Sequence, residues 1–245
     1  MDSVRVFNFS GVYREKEYRF NSGQIDFSGL EGTSCYLDGT AEDRIRTDLS
    51  AYSPGVYINF IDSGDYHYMT ALLAEAVNVP FSLLLADNHP DMQEPAFGDI
   101  LSCGGWVRKM LQSNPNLRRV LLVGIDPALE SETTGYPDRV TVLTREHWTA
   151  PAIKDWLDAG AEPVYLSIDK DVLAPSFAST DWEQGCMTLD QLCGIAALCC
   201  SHGLCGADVC GELPASKGGK SEDFSLNNIA NTALLSELFT IFEGL

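Results

Sequence analysis

Hydrophobic residues along this chain fall into short, nearly continuous runs separated by amphipathic stretches. The runs are VRVFNF (4–9), GVYINFI (55–61), FSLLLA (81–86), RVLLVGI (119–125), RVTVL (139–143), PVYLSI (163–168) and LCGADVC (204–210). Several are solid Val/Ile/Leu rather than alternating, the pattern of strands covered on both faces. Helical segments are predicted near 67–78, 98–113, 150–159, 188–201 and 222–243. Thr188 with Gln191 three positions on has the form of a capped helix start. Strands alternating with helices predict an α/β fold, a three-layer α/β/α arrangement around a mostly parallel sheet. No long linker, repeat or low-complexity segment divides the chain, so residues 1–245 are expected to form a single domain. The Gly/Ser/Lys-rich piece 215–223 is predicted to be a flexible loop.

In parallel sheets, ligands bind beyond the carboxyl ends of strands, so the residues following each run carry the functional information. After 55–61 comes DSGDYHYMT, after 81–86 DNHPDMQ, after 163–168 DKDVLAP and after 204–210 GELP. Asp87, His89 and Asp91 stand at alternate positions, so in extended chain they project to one side. Pro90 biases His89 toward that conformation. Asp169 and Asp171 repeat the device, and His67 follows a third strand. One D-x-H-x-D after a strand is more often a polar loop than a ligand set. Acids and histidines at three strand ends together make a metal centre the better reading. Four crowded carboxylates repel unless a cation neutralises them, and two divalent ions would do so. Oxygen-rich donors with a minority of imidazole suit Mn²⁺, with Fe²⁺ or Co²⁺ as alternatives. With no cysteine expected among these positions, structural zinc is disfavoured.

This set resembles the ureohydrolase (arginase and agmatinase) family of the arginase–deacetylase superfamily. That family carries G-G-D-H-S, D-A-H-x-D, S-x-D-x-D and a late glutamate, matched here in order by SGDYHYMT, DNHPD, SIDKD and Glu212. LLVGIDP (121–127) is similar to the family's G-I-R-D strand end. The resemblance implies an arginase-like fold, two Mn²⁺ per chain and a bridging hydroxide that attacks a guanidinium carbon. By position, one ion would take His67, Asp87, Asp91 and Asp171, and the other Asp87, His89, Asp169 and Asp171, with Asp87 and Asp171 bridging. Glu212 would pair with the substrate. Family members often form trimers or hexamers, so a homo-oligomer is implied as well.

The chain also departs from the family. Tyr66 is inserted between Asp65 and His67. The stretch 91–107 has no histidine where arginases carry one that binds substrate and shuttles a proton. ASTDWEQG (178–185) replaces P-G-T-G-T-P, and Glu212 stands two residues before Pro214, one fewer than in E-x-N-P. The metal box is kept and the arginine-recognition box is not. In the replaced loop, Asp181, Trp182 and Glu183 are candidates to grip a cationic group. Asp65, Lys170 and Ser167 are candidates to orient a ligand.

Composition narrows the partners. Thirty-five acidic against 16 basic residues give a net charge of −19, which argues against nucleic acid or an anionic membrane. A small cationic substrate is compatible with that balance. The first residues show no basic stretch followed by an apolar run, and no apolar segment approaches the ~20 residues of a membrane span. A soluble, cytoplasmic protein is expected, its eight cysteines reduced and mostly buried. The expected activity is thus manganese-dependent hydrolysis of a C–N bond in a small guanidino or amidino compound, with Asp87, Asp171 and Glu212 as catalytic groups. The alternatives are a non-catalytic metal- or ligand-binding protein on the same scaffold and a deacetylase-like amidohydrolase; the latter lacks the His-His pair it would need.

Overall fold

The computed structural model describes residues 3–16, 18, 24–53, 55–95 and 98–243. Ala96 and Phe97, within the divergent stretch 91–107, lie outside that description. Among the described residues the strands are β1 (Val4–Asn8), β2 (Gln24–Asp26), β3 (Tyr36–Leu37), β4 (Ile58–Ile61), β5 (Phe81–Ala86), β6 (Leu101–Ser102), β7 (Leu117–Ile125), β8 (Val140–Thr144), β9 (Val164–Asp169) and β10 (Leu204–Cys210). The helices are α1 (Gly39–Leu49), α2 (Met69–Ala74), α3 (Trp106–Ser113), α4 (Ala150–Asp158), α5 (Leu189–His202) and α6 (Ser221–Glu243). Eight strands form one sheet in the order β2-β1-β4-β10-β9-β5-β7-β8, and every pairing within it is parallel. All eight therefore end at the same edge. β3 and β6 form a separate antiparallel pair.

The solid apolar runs are explained by two cores, one on each face of the sheet. In β5, Leu84 and Ala86 face a core shared with Ile153 and Leu157 of α4, Leu192 and Ile195 of α5, and Leu234 and Leu238 of α6. Leu83 and Leu85 face the other core, with Ile45 of α1, Leu72 and Leu73 of α2, and Val107 and Met110 of α3. All four β5 residues are fully buried, and burying each leucine side chain is worth about 2 kcal/mol. Two such layers on a parallel sheet make the α/β/α arrangement read from the sequence.

The helix start at Thr188 forms as expected. The Thr188 hydroxyl accepts from the Gln191 amide at 3.2 Å, and the Gln191 side chain accepts from the Thr188 amide at 2.9 Å. Thr188→Ala removes one half of this reciprocal cap and is expected to lower stability by about 1 kcal/mol in urea unfolding. An unchanged midpoint would show that the cap contributes nothing.

The structure also adds and trims elements. α1 was not anticipated because its sequence, GTAEDRIRTDL, buries just Ala41 and Ile45 and so offers no apolar stripe. Its start is fixed by Asp38, whose carboxylate accepts from the Ala41 amide at 2.8 Å. The helix expected over 98–113 begins at Trp106, since Leu101 and Ser102 pair as β6 with β3. The loop expected over 215–223 is instead a short 3₁₀ turn, Ala215–Lys217, followed by α6 from Ser221. No helix among the described residues is long and apolar enough to cross a membrane.

Candidate metal centre and cleft

The strands β4, β9 and β5, with β10 between the first two, bring His67, Asp87, His89, Asp91, Asp169 and Asp171 to one place. β5 ends in Asp87, and the chain continues so that His89 and Asp91 return to the same cluster. Asp91 takes a left-handed backbone, φ 49°, which turns its carboxylate inward, where it accepts from Trp106 Nε1 at 2.6 Å. β9 ends in Asp169, whose Oδ1 accepts from the Asp171 amide at 2.9 Å. After β4, the inserted residue is absorbed by a 3₁₀ turn over Gly64–Tyr66, closed by a bond from the His67 amide to the Gly64 carbonyl at 3.1 Å. That turn brings His67 to the cluster.

His67 Nδ1 lies 3.0 Å from Asp91 Oδ2, 3.3 Å from Asp87 Oδ2 and 3.7 Å from Asp169 Oδ2. His89 Nδ1 lies 2.8 Å from Asp171 Oδ2 and 3.5 Å from Asp87 Oδ1. The cluster therefore has two halves joined at Asp87: His67 with Asp87 and Asp91, and His89 with Asp87 and Asp171. Asp169 also reaches the His67 half, while Asp171 sits against His89. His67 Nε2 meets Ser167 Oγ at 2.9 Å. Donation from Nε2 to Ser167 leaves the Nδ1 lone pair turned toward the carboxylates, the orientation a ligating imidazole needs.

The electrostatics test whether these residues fit a metal. Burial, then the charge of Asp87, pushes Asp91 up to about 6. Burial likewise raises Asp169, and raises Asp171 well above the carboxylate range. Burial alone would also raise Asp87, but His67 and His89 hold it well below its usual value. Burial opposes charge on His89, yet Asp171 and Asp87 outweigh it and raise the imidazole to about 12. His67 is raised well above its usual value against its own burial, by Cys210, Asp87 and Asp91. The carboxylates thus recruit both imidazoles as cations. A divalent ion answers the same demand, and the donor set of oxygens and imidazoles fits one.

Cys210 was missed by sequence reasoning. It closes an apolar strand and reads as core, but β10 pairs with β9 so that Cys210 lies opposite Asp169. Its Sγ donates to Asp169 Oδ2 at 3.2 Å, so a thiol does stand in the cluster, contrary to expectation. Only the strand order, which the sequence does not state, could have revealed this. Gly211 follows with φ 87°, and a Cβ there would lie 2.3 Å from Asp169 Oδ1; the residue is glycine so that Asp169 can turn inward.

A cleft of about 220 Å³ opens over the cluster, lined by His67, Asp87, His89, Asp91, Asp169 and Asp171 on its floor and by Cys35, Gln93, Cys103 and Trp182 among its walls. Of the three loop candidates, Trp182 alone belongs to this lining, its ring 5.7 Å from that of His89. Asp181 is tied to Lys217, and Glu183 is exposed, engaged through its carbonyl by Asn88 Nδ2 at 3.1 Å. Asp65 is not among the residues that line the cleft. It binds Ser34 Oγ at 2.9 Å, Lys217 Nζ at 2.7 Å and Trp182 Nε1 at 3.3 Å, anchoring the tryptophan loop.

Glu212 is not brought into the cleft. It is fully buried, with Oε2 accepting from Tyr18 at 2.5 Å and Oε1 from Asn231 Nδ2 at 2.8 Å and from Lys170. Lys170, fully buried itself, also donates to Asn231 Oδ1 at 2.9 Å. The lysine of S-I-D-K-D thus claims the late glutamate as its counter-ion, which sequence spacing could not show.

Comparison with known proteins agrees with this architecture. A protein of Thermotoga maritima described as uncharacterized is 28% identical over 243 residues, covering 96% of this chain and 89% of that one. The proclavaminate amidino hydrolase of Streptomyces clavuligerus superposes with a TM-score of 0.68 at 19% identity, covering 98% of this chain and 92% of that one. A hypothetical agmatinase of Burkholderia thailandensis gives 0.65 at 21% identity, covering 99% and 86%. At such identities the likeness is one of fold. The family model for the arginase family matches residues 64–234, from the turn before His67 into α6, and with more than two thirds of its length so matched, the chain belongs to the arginase family.

Proposed function

We propose that this chain is a metal-dependent hydrolase of a non-peptide C–N bond in a small guanidino or amidino compound. The observation that carries the reading is the buried meeting of two imidazoles and four carboxylates at the floor of one cleft. His67, Asp87, Asp91 and Asp169 would hold one divalent ion, and His89, Asp87 and Asp171 the other. Asp87 is the carboxylate the two sets share. Bound there, a pair of such ions, manganese, iron or cobalt, supplies a water acidic enough to act as nucleophile near neutral pH. The chain's own residues do the rest. Ser167 holds the His67 ring, Trp106 holds Asp91, and Trp182 offers a ring face to a cationic group. Family membership and the likeness to an amidino hydrolase fold support the substrate class.

Metal loading tests the first half of this reading. Protein purified gently and soaked in Mn²⁺ is expected to carry one to two ions per chain. A metal-to-site excess of ~100-fold over Kd would add about 2.7 kcal/mol to stability, seen as a higher melting temperature that chelation reverses. Fewer than about one ion per chain by elemental analysis would sink the reading. Urea or ammonia release from a panel of guanidino compounds tests the second half. A second reading, ligand binding without turnover, is favoured by the commitment of Glu212 to Lys170, which removes the expected substrate-orienting carboxylate from the cleft. Tight binding of a guanidino compound by the loaded protein with no product would favour it.

A further inference from the structure

The thiol of Cys210 has no role in the reading above. It is buried and belongs to the same group as His67 and Asp169, their donor atoms all within 4.8 Å of one another. A bound ion lies about 2.3 Å from sulfur and 2.0–2.2 Å from nitrogen or oxygen, so its donors stand roughly 3.0–3.6 Å apart at angles between 90° and tetrahedral. The Cys210 Sγ–Asp169 Oδ2 separation of 3.2 Å falls in that range. So do the separations of His67 Nδ1 from Asp91 Oδ2 and Asp87 Oδ2, 3.0 and 3.3 Å, while that from Asp169 Oδ2, 3.7 Å, lies just beyond it. The thiol is also held in place by the backbone, since Cys210 is paired in register with Asp169 across β9 and β10.

We propose that Cys210 is an additional donor to the ion on the His67 side, making that half of the centre selective for a borderline divalent ion (zinc, cobalt or ferrous iron) over manganese. The proposal rests on the metal-centre reading above. On ligation the Sγ–H proton that points to Asp169 Oδ2 leaves to solvent, and the ion takes its place between sulfur and carboxylate. A thiolate among oxygens and imidazole favours softer ions, whereas Mn²⁺ prefers oxygen donors. The two halves then differ in chemistry, as the His89 half is built from imidazole and carboxylates with no thiol.

The test is cobalt substitution of the full-length, metal-stripped protein, following bound cobalt by elemental analysis and the near-ultraviolet thiolate-to-cobalt charge-transfer band by absorption. The expected result is a band in the wild type that is lost in Cys210→Ser and Cys210→Ala while cobalt still binds. In competition, the wild type's preference for cobalt over manganese should exceed that of the variants by about tenfold or more. Cobalt bound without the band, or a band that survives in both variants, overturns the assignment of Cys210 and leaves the metal centre standing. No cobalt bound at all overturns both. Either Cys210 variant alone carries the comparison with wild type if the other does not fold.

Discussion

Asp87→Asn is expected to abolish hydrolysis of any guanidino or amidino substrate, lowering kcat/KM by at least about a thousandfold, equivalent to roughly 4 kcal/mol of transition-state stabilisation. Asp87 is the one carboxylate that belongs to both halves of the cluster, with Oδ2 toward His67 and Oδ1 toward His89. Its amide analogue keeps the shape and removes the charge, so neither ion retains its shared anionic donor. Metal content should therefore fall together with activity, and Mn²⁺ should no longer raise the melting temperature. Asp171→Asn is the informative comparison. Asp171 faces His89 alone, so that variant is expected to lose the His89-side ion and keep the other. Equal metal loss in both variants would contradict the division into halves. Full activity in Asp87→Asn would remove the basis for a metal mechanism.

Lys170→Met is expected to destabilise the metal-free protein by about 3–5 kcal/mol, because it strands the Glu212 carboxylate in the interior without a counter-ion. Both members of this pair are fully buried, and the remaining partners of Glu212, Tyr18 and Asn231, are neutral donors. For a chain of this size such a loss lowers the melting temperature by roughly 10 °C. The double variant Lys170→Met, Glu212→Gln should recover much of it, since an amide needs no cation. Chemical denaturation of the four proteins of the cycle measures this. A single variant within about 1 kcal/mol of wild type, or a double variant no better than the single, would show that the pair is not coupled as described.

The fold was legible where strands are buried on both faces. The runs at β5 and β9 match the observed strands to within a residue or two, since six consecutive buried positions leave no other reading. The candidate site was legible because its residues lie at strand ends, where position along the chain and position in space are linked by a short segment. His67, Asp87, His89, Asp91, Asp169 and Asp171 all reach one cleft. What was not legible depends on lateral order. That Cys210 stands opposite Asp169, and that Lys170 meets Glu212, both follow from β10 lying beside β9. The polar helix α1 and the two-residue strands β3 and β6 escaped for a different reason. They are stabilised by capping and by contacts elsewhere in the fold, so their sequences carry little periodic signal.

The strand order also bears on how the molecule comes apart. β4 and β10 are neighbours in the sheet although Asn59 and Asp208, hydrogen-bonded across them, are 149 residues apart in sequence. His67 and Ser167 meet across 100 residues. Contacts of such long range are slow to form, because the loops between them must close first. The six candidate positions follow three different strands, so they meet only when β4, β10, β9 and β5 are side by side. Interactions absent from the transition state leave the folding rate nearly unchanged and slow unfolding instead. An ion bound at this centre would tie those strand ends together and act as a latch on the finished protein, slowing its unfolding.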